Sequence, residues 1–523
     1  GAAARIPRKV KVETVFRLDR QRLNRHASAR LAVQGFPSAL ESHINSLKSS
    51  RRGSCGVAAS LKELTDKANA LKAAGRMADA IAAHRQIVAL APGNGVVLHN
   101  LAAALGDAGQ NREAVDVAKR ALATGLNAPE TWLVLARSLV AVDLMAEAED
   151  AFRKVLSLRP TDTVAHREFA QLIWMRTGDV SKALAPVTQA LTKLTNDLNL
   201  ALVRAHILGQ CGNPEAEYIE VADVLRRSGG AAQLQVPATN AAIAAGKFEA
   251  ALDHARAGLK AFPSDPFVRQ AYARALLAVG EAKEAAEIAG ALQTQFPRDQ
   301  LYIALLATAW RLLSDERYRQ LYDYDTFVVP GELAAPKGWA SREAYLDDLI
   351  EALDRHHQYE THPFSQSVRH GSQLPSITKI DEPALRAYPE AAAGPIMRYI
   401  EKAGRGPDPL RSRNRGRFEV ITAWSVRLPS SGFHVDHVHS EGWLSSACHL
   451  RIPETDGPDP RAGWLKFGEP GIPTTPKLLP EHFVKPQKGV LVVFPSYMWH
   501  GTVPFSGKDT RLTVAIDISP GKE

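Results

Sequence analysis

Two rhythms of apolar and polar residues divide the chain. From residue 61 the sequence is alanine-rich, with apolar positions at helical spacing in short stretches that end at glycine or proline, as in AAGRMADAIAAHRQIVALAPGN and AAGKFEAALDHARAGLKAFPSDP. One more amphipathic helix is expected in SREAYLDDLIEALDRHH, which starts at Ser341. Beyond it the pattern shortens. FEVITAWSVRL, SSACHLRI, GWLKFG, GVLVVFP and RLTVAIDI read as strands separated by Gly, Pro and Ser. Strands of that length and spacing predict a jelly-roll, or double-stranded β-helix, barrel. The expected fold class is therefore multidomain α + β, an all-α array followed by a barrel.

The helical part repeats itself. Gly75, Gly109, Asp143, Gly178, Gly212, Gly246 and Gly280 are spaced by 34 residues, once by 35. Five positions after each comes a small residue, Ala80, Ala114, Ala148, Ala183, Ala251 and Ala285, and only the repeat at Gly212 lacks it. Proline recurs at Pro92, Pro160, Pro263 and Pro297. Gly or Asp suits a turn between antiparallel helices where φ is positive, alanine one turn later lets the paired helices approach, and proline ends the second helix. This pattern resembles the tetratricopeptide repeat over about residues 61–300. The resemblance implies a solenoid whose concave face binds a protein or peptide segment, with a homo-oligomer through the array as the competing use of that face.

Pro330 and Pro336 mark a linker, so four regions are expected: a basic, poorly ordered arm over 1–60, the solenoid over 61–300, a linker helix region over 301–345 and the barrel over 346–523. The barrel is expected to carry its own core. Residues 1–60 contain 12 Lys and Arg against 3 Asp and Glu, a net of +9 that exceeds the +8 of the whole chain. The basic charge thus belongs to the arm, and nucleic acid is not expected as a partner of the array or the barrel. No run approaches the roughly 18 apolar residues of a membrane span, so no membrane partner is expected. Three distant cysteines, Cys55, Cys211 and Cys448, form no metal-ligand spacing and no closed disulfide framework, which fits a reducing, cytoplasmic location. The arm has no secretory apolar segment, and an Arg-rich presequence is the alternative reading of it.

The chemistry is concentrated in SGFHVDHVHSEGWLSSACHL, where His434, Asp436, His437 and His439 fall within six residues. Downstream, His500 follows the strand GVLVVFP, and Arg511 opens the last strand, with Thr513 and Ala515 on the same face by alternation. The set resembles the 2-oxoglutarate- and iron(II)-dependent oxygenase superfamily, in which an H-x-D/E pair and a distal His bind iron. An Arg about ten residues further on binds the far carboxylate of 2-oxoglutarate. Three protein ligands leave three octahedral positions for the bidentate 2-oxoacid and O2, and a guanidinium fork suits a buried carboxylate.

Two first pairs compete. HVD at 434–436 has the usual letters. Prolyl-hydroxylase-like members read G-x-x-x-x-H-x-D, and counting from Gly432 gives His437 and then His439 in the acid position. HVHSEGWLSSACHL also resembles the H-x-H stretch of a subgroup of 2-oxoglutarate oxygenases linked to tetratricopeptide repeats, as HPFSQSVRHGSQL does upstream. The favoured metal set is His437, His439 and His500, with His434, Asp436 and His500 as the alternative; a regular strand cannot aim both pairs at one metal. The resemblance implies a dioxygenase that uses Fe(II), 2-oxoglutarate and O2 and hydroxylates a recruited protein or peptide, with Arg511 and Thr513 at the cosubstrate. The rivals are a repeat scaffold whose barrel has lost catalysis and a three-histidine oxygenase that uses no 2-oxoacid.

Overall fold

The computed structural model describes residues 54–521. The basic arm over 1–60 thus falls almost entirely outside the described residues. The chain divides into two compact units, residues up to 170 with 186–195, and residues 171–185 with 196 onward.

The first unit is helical. Its paired helices turn where the sequence predicts: Gly75, Gly109 and Asp143 have φ of 76°, 77° and 62°. In the second unit Gly212, Gly246 and Gly280 do the same, at 88°, 71° and 91°. The left-handed residue lets the next amide reach back to the helix, as Arg76 N donates to Leu71 O at 2.9 Å. All six alanines five positions on are fully buried. The repeat without one carries Glu217, and there the preceding helix supplies the room: a Cβ on Gly209 would lie 1.9 Å from Glu217 Oε2. The small residue has moved to the facing helix.

The second unit continues the helix pairs through Gln300–Leu312 and then builds a β region. A six-stranded antiparallel sheet has the order β1-β9-β6-β11-β4-β3. Its strands are β1 (Val329–Glu332), β3 (Ser372–Leu374), β4 (Phe418–Leu428), β6 (Leu444–Arg451), β9 (Val490–Pro495) and β11 (Arg511–Pro520). Two smaller antiparallel sheets complete it: β10 (His500–Thr502), β7 (Leu465–Phe467) and β8 (His482–Val484) in that order, and β2 (Val368–Arg369) with β5 (Phe433–His434). The sheet-rich region fits a jelly roll, the fold class read from the sequence. The five expected strands are β4, β6, β7, β9 and β11; the shorter ones carry too few residues for a period to show. The expected amphipathic helix spans Arg342–His356, capped by Ser341 Oγ, which accepts from Ala344 N at 3.1 Å.

Residues 301–345, read as a linker helix region, are packed structure. Gln300–Leu312 is a full helix of the array, and β1 pairs with β9 along the edge of the large sheet. One continuous apolar cluster runs from Ala242 through Leu276, Leu305 and Tyr322 to Phe494 and Ile518. Tyr322 Oη donates to Tyr497 O at 2.8 Å, and Tyr497 Oη donates to Leu321 O at 3.1 Å. Sheet and helices bury each other, so neither face is finished alone. A chain shortened to start near residue 301 is therefore expected to lose its cooperative thermal transition. Circular dichroism melting checks this; a sharp melt close to that of the full chain would show an independent barrel.

No helix among the described residues is long and apolar enough to cross a membrane. Cys211 and Cys448 are free and buried, and burial pushes both thiols up to about 12.

Candidate metal centre

The metal candidates are set by the segment after β5 and by β10. His437 and His500 form a two-residue antiparallel bridge, with His437 N donating to His500 O at 2.9 Å and His500 N to His437 O at 3.1 Å. That bridge places their rings side by side, with centroids 4.2 Å apart. His439 joins them, its ring 5.0 Å from that of His437 and 5.1 Å from that of His500. One ring nitrogen of each lies within 4.8 Å of the others.

Which nitrogens converge follows from the hydrogen bonds. His437 Nδ1 lies 2.8 Å from Val435 O and His500 Nδ1 lies 2.9 Å from Met498 O. A carbonyl only accepts, so both Nδ1 atoms carry the proton and both Nε2 atoms present a lone pair. His439 Nδ1 stands 2.7 Å from Asp517 Oδ1, which fixes the same tautomer. Ser445 Oγ donates to that carboxylate oxygen at 2.9 Å. Burial keeps the first two rings neutral, holding His437 down at about 3 and His500 well below the ordinary imidazole range. Three imidazoles oriented through Nδ1 are a ligand set for a divalent transition metal.

The alternative pair lies elsewhere. The His434 ring is stacked 6.0 Å from His437, with its Nδ1 3.0 Å from Ser367 Oγ. Asp436 turns to Lys466, whose Nζ donates to Oδ2 at 2.8 Å. Burial raises that carboxyl to about 6 against the pull of the ammonium. A Cβ on Gly471 would fall 1.9 Å from Asp436 O, so a bare backbone is needed where this segment is crossed. The structure thus brings His437, His439 and His500 together and keeps His434 and Asp436 out of the cluster.

Arg511 is buried at the start of β11, and Thr513 is buried two residues on. Nη1 donates to Gly463 O at 3.0 Å and Nη2 to His449 Nε2 at 2.6 Å, while Nε has no acceptor. Among the described residues no carboxylate compensates the charge, and burial pushes the guanidinium down to about 10. A metal fits the three lone pairs, and a small carboxylate fits the cation that lacks a counter-ion.

Two residues escaped the sequence reading. Asp517 continues the alternation Arg511, Thr513, Ala515 and faces the same way, a signal the strand pattern already contained. His449 had no comparable signal. Asp517 also changes the meaning of the missing acid: the carboxylate absent from the H-x-H pair stands one hydrogen bond behind His439. Asp517→Asn is expected to weaken iron(II) binding about 10- to 100-fold, the usual cost of removing an outer carboxylate from a ligating histidine. Competition with a chelator measures it.

The helical part is similar to solved repeat structures. A tetratricopeptide repeat protein from Parabacteroides merdae is 16% identical, with 48% of this chain and 98% of that one covered and a TM-score of 0.35. Pseudomonas aeruginosa pilF is 14% identical, with 41% and 97% covered and a TM-score of 0.30. YrrB, described as a TPR protein with an unusual peptide-binding site, is 16% identical, with 35% and 95% covered and a TM-score of 0.25. No curated protein matches the chain. Residues 242–309 match the family model of the tetratricopeptide repeat. Residues 422–517, which run from β4 to Asp517 and include the three histidines and Arg511, match the family model described as "Putative 2OG-Fe(II) oxygenase".

Proposed function

We propose that the chain is an iron(II)- and 2-oxoglutarate-dependent dioxygenase that hydroxylates a side chain of a protein or peptide recruited by the helical array. The observation that carries this reading is the convergence of three imidazole lone pairs in the same barrel as a buried guanidinium with no counter-ion. In it His437, His439 and His500 hold iron through Nε2, Asp517 orients His439 and increases its donor strength, and Arg511 binds the far carboxylate of 2-oxoglutarate beside Thr513. With iron, 2-oxoglutarate and O2 bound, the centre supplies an oxidant that inserts one oxygen atom into a C–H bond while the cosubstrate becomes succinate and CO2. The chain's own residues contribute position and charge. Recognition belongs to about residues 61–300 and catalysis to 346–523, with 301–345 joining them, in a reducing, cytoplasmic compartment.

The test is succinate formation from 2-oxoglutarate by protein loaded with iron(II) under anaerobic conditions and then exposed to O2. Turnover without added substrate is expected to be slow and to stop in His500→Ala. A second reading is favoured by the imidazole at the acid position: a binding scaffold that keeps its metal and has lost catalysis. Metal binding with no succinate under any condition would select it. Oxygen consumption without 2-oxoglutarate would select a three-histidine oxygenase instead.

A further inference from the structure

His500 enters the cluster from the turn over 496–499 that joins β9 to β10. That turn decides where the ring points, because its Met498 O holds His500 Nδ1. It also supports a second ligand, since Ser496 O accepts from His439 N at 3.0 Å. What fixes the turn comes from the helical side. Tyr322 Oη donates to Tyr497 O at 2.8 Å and accepts from Trp499 N at 3.2 Å, so one phenol ties the residues on both sides of Met498. Thr308 Oγ1 accepts from Trp499 Nε1 at 2.9 Å and donates to Ala304 O at 2.8 Å within the helix Gln300–Leu312. The same helix begins with Gln300 N donating to Ser440 O at 2.9 Å, next to His439.

Thr308 and Tyr322 are each 2% exposed, and each hydroxyl has both its hydrogen and a lone pair engaged. Trp499 is 4% exposed and tightly enclosed: a Cβ on Gly471 would fall 3.0 Å from its Cζ3. Water therefore cannot replace a lost partner at Trp499 Nε1, Trp499 N or Tyr497 O. A buried polar group without a partner is unfavourable, so the turn can regain partners only by moving, and Met498 O moves with it. The packing around the phenol does not depend on its oxygen. Its ring stacks on Tyr318 at 4.8 Å and tilts against Tyr497 at 6.0 Å, contacts that phenylalanine would keep.

We propose that Thr308 and Tyr322 are positioning residues of the metal centre: through Trp499 they hold the turn that aims His500, which makes the end of the helical array part of the metal site. This rests on the metal reading of the three histidines and needs neither 2-oxoglutarate nor turnover. A displacement of Gln300–Leu312 reaches His500 through Thr308 and Trp499, and His439 through Gln300 and Ser440.

The full chain and its variants are titrated with cobalt(II) against a chelator; the visible spectrum of each cobalt form and the melting temperature of each metal-free form are recorded. Tyr322→Phe and Thr308→Val are expected to bind cobalt(II) about tenfold more weakly, the lower end of what losing an outer partner of a ligating histidine costs, with shifted ligand-field bands. Thr308→Ser keeps the hydroxyl and is expected to match the wild type. Tyr345→Phe is the control: Tyr345 is fully buried, and its Oη donates to Ala384 O at 3.1 Å rather than to the turn. It is expected to lower the melting temperature and leave cobalt affinity and spectrum unchanged. Affinity within about twofold of the wild type and unshifted bands in both Tyr322→Phe and Thr308→Val overturn the proposal, as does an equal loss in Tyr345→Phe or Thr308→Ser. If Tyr322→Phe does not fold, the near-isosteric Thr308→Val decides. A wild type that binds no cobalt(II) removes the metal reading and this inference with it. If the losses appear while iron-loaded protein forms no succinate, the oxygenase reading fails and the positioning role survives.

Discussion

His500→Ala and His437→Ala are each expected to lower iron(II) affinity by at least about two decades, whereas His434→Ala is expected to leave it within about threefold. The two rings are locked by their own backbone, each Nδ1 held by a carbonyl two residues away, so their Nε2 atoms are committed to the centre before any metal arrives. Removing either ring takes a pre-oriented ligand from a set of three, a larger loss than removing an outer carboxylate. His434 differs because its Nδ1 is engaged with Ser367 and its ring stacks outside the cluster. Metal content after gel filtration, together with chelator competition, reads the three variants. Loss of iron in His434→Ala with retention in His437→Ala would reverse the assignment and return Asp436 to the ligand set.

Arg511→Ala is expected to weaken 2-oxoglutarate binding by two or more decades, the equivalent of roughly 3–5 kcal/mol for stranding a buried anion. Arg511→Lys keeps the charge and loses the fork, so an intermediate loss is expected. Iron affinity is expected to stay within a few-fold in both, because the guanidinium bonds Gly463 and His449 and no member of the histidine cluster. Titration of 2-oxoglutarate into iron-loaded, oxygen-free protein, followed by the absorption band of the chelate, gives the affinities. A stability measurement separates receptor from scaffold. With no cosubstrate the cation is buried and uncompensated, so Arg511→Met is expected to melt at or above the wild-type temperature. A residue kept for structure would melt lower when replaced. Equal 2-oxoglutarate affinity in wild type and Arg511→Ala would remove the cosubstrate role and favour the oxygenase that uses no 2-oxoacid.

Much of this molecule is local and therefore legible in the sequence. The 34-residue period fixed where Gly75 to Gly280 would adopt left-handed backbone, because a turn between antiparallel helices imposes that φ on one residue whatever surrounds it. Short apolar runs bounded by Gly, Pro and Ser located β4, β6 and β9, and alternation shows within β11. The same alternation on β11 carried Arg511 and Asp517 together, although Asp517 acquires meaning only opposite His439. What the sequence left open depends on partners distant along the chain. The bridge between His437 and His500 decides which side of the HVDHVH segment faces the centre. The lack of a counter-ion at Arg511 among the described residues is a property of everything packed around it. The shared core of helices and sheet was hidden for the same reason: each element's apolar pattern says that a face must be covered, and the pattern is identical whether the cover comes from its own domain or from its neighbour.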